Sequence, residues 1–231
     1  HKVMIVIIQA RTSSYRLKEK VLKKINNIEI LKILILRLKK VIEIKKIIVA
    51  TSHQKGDRKI VKLCLKNKID YFTGPLNNVR KRFELCINKF NLKNVVMRIS
   101  ADSPFIDINL IKKMIKIQKK KKNYDIVTNV YPRSFPKGQS IEIVKTKLFK
   151  KLSLKKMSPN ENEHVTQYFY RRKKFFKIYN LKNKNDISKI NLSIDTLNDY
   201  LFYKNFFKKR SIYYNVDYKL LMNLKKNYAK N

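Results

Sequence analysis

The sequence predicts an α/β protein with a mostly parallel central sheet and helices on both faces. Short β-branched apolar runs without a polar face, such as Lys2–Ile8 and Lys46–Ala50, are typical of strands buried on both sides. Segments with apolar residues at helical spacing separate these runs. Because strands alternate with helices, we expect parallel strands joined by right-handed crossovers.

The first half of the chain alternates regularly. The opening strand Lys2–Ile8 is followed by the polar stretch Gln9–Lys20, which has no periodicity, and by a helix over Ile28–Val41. The next predicted elements are strand Lys46–Ala50, a helix capped by Asp57 that ends near Lys66, strand Ile69–Phe72, a helix capped by Asn77 or Asn78 that ends at Phe90, and strand Val95–Ile99.

The second half is less regular, and turn-forming residues define an irregular sub-region at about 129–190. The length of the whole chain, 231 residues, favours a single domain that spans residues 1–231. The predicted elements are helix Asp107–Lys120, strands Asp125–Thr128 and Ser140–Val144, helices Thr146–Leu154 and Glu161–Arg171, strands Phe176–Leu181 and Asn191–Ile194, and helix Leu197–Lys208.

The charge of the chain is strongly positive, with a formal net charge of +40. Such a charge favours polyanion binding, but the lysines are spread from end to end, so we expect compositional bias and no nucleic-acid partner. Cys64 and Cys86 lack the paired spacing of zinc or redox sites. No apolar run approaches the length of a membrane span, which is about 20 residues. We therefore expect a cytoplasmic protein, and the oligomeric state stays open, a homodimer included.

Cationic and hydroxyl side chains follow the first strand, at the sheet edge where ligands bind in parallel sheets. Arg11, Arg16 and Lys20 lie around Thr12 and its two following serines. Phosphate binding needs such charges and short donors. The glycine-rich loops of P-loop and dinucleotide-binding enzymes are absent from the sequence.

Two aspartates follow predicted strands. Asp102 and Asp195 are candidates to hold Mg²⁺, which prefers one or two carboxylates together with phosphate oxygens and water. Each has a structural alternative: Asp102 could stabilise a turn, and Asp195 could cap a helix.

The stretch IIQARTSSYRLKEKVL resembles the N-terminal signature of spore-coat-polysaccharide cytidylyltransferases, within the superfamily of CMP-sugar synthetases that includes acylneuraminate and KDO cytidylyltransferases. Similar blocks follow in the family's order to about residue 206: IIVATS, YFTGPLNNVRKRF, VVMRISADSPFID, YPRSFPKGQSIEIV, NENEHVTQYF and LSIDTLNDY. The resemblance implies a Rossmann-like nucleotidyltransferase fold of the glycosyltransferase-A type.

The resemblance also implies roles for individual residues. Catalysis falls to Arg11, Lys20, Asp102 and Asp195, the two aspartates holding Mg²⁺ or Mn²⁺. Nucleotide binding is expected of Ala10, Arg11, Arg16, Lys20, Thr51, Ser52, Arg82 and Ser100. Substrate binding is expected of Arg98, Gln139, Glu142, Glu163 and His164.

The implied reaction is metal-dependent transfer of a cytidylyl group from CTP to a sugar or sugar acid, with release of pyrophosphate, for surface polysaccharide biosynthesis. Another nucleotide, a non-sugar acceptor such as a phosphonate or alditol phosphate, and a sugar-nucleotide glycosyltransferase are the alternatives. The chain departs from the family where RLPGK is usual, since Glu19 replaces the glycine. Ser140 replaces a carboxylate of the family's GLDVEV block.

Overall fold

A seven-stranded sheet forms the centre of the computed structural model, which describes residues 3–152, 157–211 and 216–228. Its strands are β1 (Met4–Gln9), β4 (Ile44–Ser52), β5 (Asp70–Gly74), β6 (Val95–Ser100), β7 (Ile126–Thr128), β8 (Glu142–Lys145) and β9 (Ile178–Asn180). They lie in the order β5-β4-β1-β6-β8-β7-β9, and a separate hairpin joins β2 (Lys24–Ile25) to β3 (Ile28–Glu29). Every neighbouring pair in the large sheet is parallel except the two that contain β8.

Helices cover both faces of the sheet. They are α1 (Ile30–Lys39), α2 (Arg58–Lys66), α3 (Val79–Lys89), α4 (Ile108–Lys120), α5 (Thr146–Leu152), α6 (Pro159–Glu163), α7 (Gln167–Arg171), α8 (Leu197–Phe207) and α9 (Tyr218–Tyr228). Successive strand residues point to opposite faces: Val6 and Ile8 pack with α1, α2 and α4, while Ile7 packs with α3, α5 and α7. The predicted α/β class and mostly parallel sheet are confirmed.

A third apolar cluster lies outside this sandwich. Phe105, in the loop after β6, stacks on Tyr203 and Phe207 of α8, with ring centroids 4.5 and 4.7 Å apart. Leu221 of α9 is buried in the same cluster. This packing fixes the segment before α8, where Asp195 lies, against the loop that carries Asp102.

Three local predictions are wrong. The helix predicted over Glu161–Arg171 is interrupted, because His164 is extended and separates α6 from α7. The strand Asn191–Ile194 is reduced to one isolated bridge at Asn191, whose side-chain oxygen accepts hydrogen bonds from Ser193 in place of a strand ladder. Asp57 precedes α2 but makes no capping hydrogen bond, since its carboxylate binds two other segments.

The remaining boundaries differ little from expectation. Asn78 caps α3 by accepting the Lys81 N–H at 2.8 Å, as one of two predicted candidates. The hairpin β2–β3 and α9 had no predicted counterpart. The end expected at Leu154 lies outside the described residues, and the single-domain organisation remains a prediction.

Candidate active site

A cleft of about 480 Å³ opens at the carboxyl ends of β1 and β6, where the sequence pattern predicts the site. The loop after β1 forms one wall, and the loop after β6 and the segment before α8 complete it. The predicted residues that line this cleft are Ala10, Arg11, Arg16, Lys20, Ser100, Asp102, His164 and Asp195.

Lys20 lies between the two aspartates. Its Nζ donates to Asp102 Oδ2 at 3.0 Å and to Asp195 Oδ1 at 2.7 Å. Partial burial of Asp195 raises the pKa of its carboxyl, but Lys20, together with Ser193 and Arg16, outweighs burial and holds that pKa below its usual value. The structure therefore brings together the residues from three separate regions of the sequence.

The donor set at this point fits a divalent cation. Two carboxylates that can share one ammonium group can also share one small cation, and Mg²⁺ accepts such a pair when substrate phosphates and water supply its other ligands. In the parts of the chain that the structure describes, no group of three or more His, Cys, Asp or Glu side chains could hold a metal on its own. A metal at Asp102 and Asp195 would therefore take its other ligands from substrate phosphates and water.

The loop after β1 keeps the backbone shape that a glycine would give it. Glu19 has φ 53° and ψ 28°, the left-handed conformation, at the position where the family motif carries glycine. Its N–H donates to the Thr12 carbonyl at 3.1 Å, and Lys59 donates to its carboxylate at 2.6 Å. These two contacts hold Glu19 in the left-handed conformation, which is less favourable for a residue with a Cβ than for glycine.

Arg11 and Arg16 already have carboxylate partners. Arg11 Nη2 lies 3.0 Å from Glu163 Oε1, and Arg16 Nη2 lies 3.5 Å from Asp195 Oδ1. Both arginine side chains are more than a third exposed, so these pairs contribute little to stability. The two guanidinium groups can exchange these partners for phosphate oxygens at low cost.

Thr51, Ser52 and Arg82 are buried and do not line the cleft. Among the described residues, neither the Thr51 hydroxyl nor any guanidinium nitrogen of Arg82 has a hydrogen-bond partner. Burial lowers the pKa of Arg82 to about 10, although the negative charge of Asp57 opposes this effect. An unpaired buried guanidinium is costly, which marks Arg82 as a group that a ligand could satisfy.

A second cavity of about 340 Å³ adjoins the cleft, and His164 lines both. Arg98 lines this second cavity and donates hydrogen bonds to Glu142 and, at 2.9 Å, to Gln9 Oε1. Burial raises the pKa of the Glu142 carboxyl, but Arg98 and the hydroxyls of Thr166 and Tyr170 hold it below its usual value. Glu142 is therefore an anion that orients the surrounding donors.

Arg133 lines the second cavity and was not among the predicted site residues. Its Nη1 donates to Ser140 Oγ at 2.9 Å, at the position where the family carries a carboxylate. Gln139 is elsewhere: its side chain accepts the Asp107 N–H at 2.8 Å and donates to the Phe105 carbonyl, so it supports the loop after β6. The one sequence feature that could have indicated a role for Arg133 is its place in the family-like block YPRSFPKGQSIEIV.

Comparison with known proteins decides the family, because the cytidylyltransferase family model matches residues 5–228. The chain belongs to this family. The cytidylyltransferase is similar to the uncharacterized protein MJ1063 of Methanocaldococcus jannaschii, at 37% identity over 87% of this chain and 81% of that protein. It is also similar to the spore coat polysaccharide biosynthesis protein SpsF of Bacillus subtilis, at 28% identity over 89% of this chain and 87% of that protein.

Among solved structures, a cytidylyltransferase from Leptospira borgpetersenii superposes with a TM-score of 0.88 at 28% identity, covering 99% of this chain and 96% of that one. These similarities confirm the resemblance seen in the sequence and the nucleotidyltransferase fold. The chain is a CTP-dependent nucleotidyltransferase. Within the described residues, we find no helix with the length and apolarity that crossing a membrane requires.

Proposed function

We propose that this cytidylyltransferase activates a sugar or sugar acid by transferring CMP from CTP to an acceptor hydroxyl, for surface polysaccharide biosynthesis. The observation that carries the proposal is the junction of two cavities at His164, one with cations and paired aspartates and one with Arg98, Arg133 and Glu142. The similarity to a spore coat polysaccharide biosynthesis protein supports the polysaccharide role.

The cleft would bind the triphosphate. Arg11, Arg16 and Lys20 exchange their carboxylate partners for phosphate oxygens and neutralise the charge that grows on the leaving pyrophosphate. Asp102 and Asp195 would hold Mg²⁺ or Mn²⁺, which supplies further charge neutralisation on the phosphates. The buried donors of Thr51 and Arg82 would satisfy acceptor atoms of the nucleotide.

The second cavity would bind the acceptor. Arg98 and Arg133 offer two positive charges against the one negative charge of Glu142, an excess that favours an acceptor with a carboxylate. An acceptor hydroxyl held near His164 can attack the α-phosphate of CTP in line with the departing pyrophosphate, and its proton passes to water as the new bond forms. Holding both reactants in adjacent cavities lowers the barrier by orientation.

The test is pyrophosphate release with each of the four ribonucleoside triphosphates, Mg²⁺, and a panel of neutral sugars, sugar acids, alditol phosphates and phosphonates. We expect release with CTP and a sugar or sugar acid, and loss of release in Arg133→Met for acidic acceptors only. Equal rates with all four nucleotides, or reaction only with a non-sugar acceptor, would overturn the proposal. Lys145→Met serves as the matched control, because Lys145 lies in a different surface pocket.

A further inference from the structure

Asp57 is a buried carboxylate that joins two segments next to the cleft. It lies at the start of α2, with 1% of its surface exposed, and makes no hydrogen bond to its own helix. Its Oδ1 accepts the Thr12 N–H at 2.6 Å and the Thr12 hydroxyl at 2.7 Å. Its Oδ2 accepts the Ser52 N–H at 3.2 Å and the Ser52 hydroxyl at 2.5 Å.

These four hydrogen bonds take the place of an ion pair. No lysine or arginine of the described ranges 3–152, 157–211 and 216–228 lies within ion-pair distance of Asp57. Burial raises the pKa of the Asp57 carboxyl, but the hydrogen bonds from Ser52 and Thr12 outweigh it and keep the pKa below its usual value. The carboxylate is therefore charged, and each of its two oxygens accepts two hydrogen bonds.

Thr12 connects Asp57 to the loop after β1, which forms one wall of the cleft. It follows Arg11 directly, and its carbonyl accepts the Glu19 N–H at 3.1 Å, which closes the loop that carries Arg16. The contact is tight, since a Cβ at Gly56 would lie 2.8 Å from Thr12 Oγ1. Moving Asp57 would therefore move both ends of the loop.

We propose that Asp57 is a positioning residue, which holds the loop of residues 10–19 in the shape that receives the triphosphate. The inference rests on the proposed function, because it assigns the phosphates to this loop. An amide at position 57 keeps one acceptor oxygen but turns an NH₂ group toward the N–H of either Thr12 or Ser52, and a backbone N–H can only donate. Asp57→Asn should consequently release one of the two segments.

The experiment measures the affinities of CTP, CMP and cytidine by titration calorimetry with Mg²⁺ present. Asp57→Asn should weaken CTP binding by about tenfold or more, as expected for loss of charge-assisted contacts, and leave cytidine binding within about twofold. Hydrogen exchange of the ligand-free protein should show faster exchange at the Thr12 amide. A purely structural role would weaken all three ligands by the same factor.

Asp107→Asn is the matched control. Asp107 has 5% of its surface exposed and its carboxylate accepts the N–H groups of Asn109, Leu110 and Tyr218, at 2.7, 3.2 and 3.3 Å. Its substitution should lower thermal stability and leave the ratio of CTP to cytidine affinity unchanged.

Gly56→Ala disturbs the contact between Asp57 and Thr12 without changing Asp57, because the added Cβ would push Thr12 away. It should reproduce the selective loss of CTP affinity, and it keeps the inference testable if Asp57→Asn does not fold. Wild-type protein that binds no CTP would overturn the proposed function and this inference together. Wild-type binding of CTP that both variants retain would overturn the inference alone.

Discussion

Replacing Arg82 with methionine should make the ligand-free protein more stable and nucleotide binding weaker. Arg82 is fully buried, and its three guanidinium nitrogens have no hydrogen-bond partner within the described part of the chain. A pKa of about 10 means that folding disfavours its charged form by about 3 kcal/mol. Because 1 kcal/mol shifts Tm by roughly 2–4 °C at this chain length, we expect Arg82→Met to raise Tm by about 6–12 °C.

The assay is thermal unfolding with and without CTP at one fixed concentration. CTP raises the Tm of the wild type by mass action, and we expect at least half of that rise to disappear in Arg82→Met. The control is Arg37→Met. Arg37 is equally buried and burial also lowers its pKa to about 10, but it donates to the carbonyls of Ile106 and Val216, each at 3.2 Å.

Arg37→Met removes a buried charge as well, but it also removes the donor to those two carbonyls, which offsets the gain. Its Tm should therefore be lower than that of Arg82→Met, with the CTP-induced rise unchanged. A Tm of Arg82→Met no higher than that of Arg37→Met would refute the argument that the Arg82 guanidinium is unsatisfied. A higher Tm with an unchanged CTP-induced rise would refute its assignment to the nucleotide.

Three further outcomes follow from the cleft. Asp195→Asn should abolish pyrophosphate release at saturating Mg²⁺ with a change in Tm of a few degrees, and near-normal turnover would contradict the metal assignment. Lys20→Ala should weaken CTP binding by about tenfold or more, whereas the double change Lys119→Ala with Lys120→Ala, at the exposed end of α4, should have little effect. A larger effect of the double change would favour polyanion binding. Since Lys20 lowers the pKa of Asp195, their pair adds stability above the ordinary carboxyl pKa, near 4, and loses it as pH falls further. The Tm difference between wild type and Lys20→Ala should therefore narrow from pH 7 to pH 3, and a constant difference would contradict the ion pair.

The fold was predictable because its signals are local. Apolar β-branched runs mark β1 and β4, and apolar residues at helical spacing mark α1 and α4. The position of Lys20 between two distant aspartates was not visible in the sequence, since only the sheet topology brings these side chains together. A cleft does lie beyond the strand ends, at the sheet edge where ligand binding was predicted.

Asp57 and Asn191 show why other predictions failed. Both residue types favour local hydrogen bonds at helix starts and turns, and sequence alone does not reveal from which donor groups a given side-chain oxygen will accept hydrogen bonds. Asp57 binds Thr12, 45 residues away, where a helix cap was expected, and Asn191 binds Ser193, where a strand was expected. Helix α9 was missed because Leu221 is its only buried residue in the described structure, so its apolar stripe is weak.

The ion pairs of the cleft have a consequence for how this highly charged chain responds to salt. Three carboxylates of the same chain, those of Glu163, Asp102 and Asp195, pair with Arg11, Arg16 and Lys20, so these cations hold internal counterions instead of condensed ions from solution. When nucleotide binds, phosphate oxygens replace the carboxylates as partners of these cations. Few ions are therefore released into solution. The affinity for nucleotide should therefore fall only gently with ionic strength, although the net charge is +40, whereas binding to a polyanion would fall steeply.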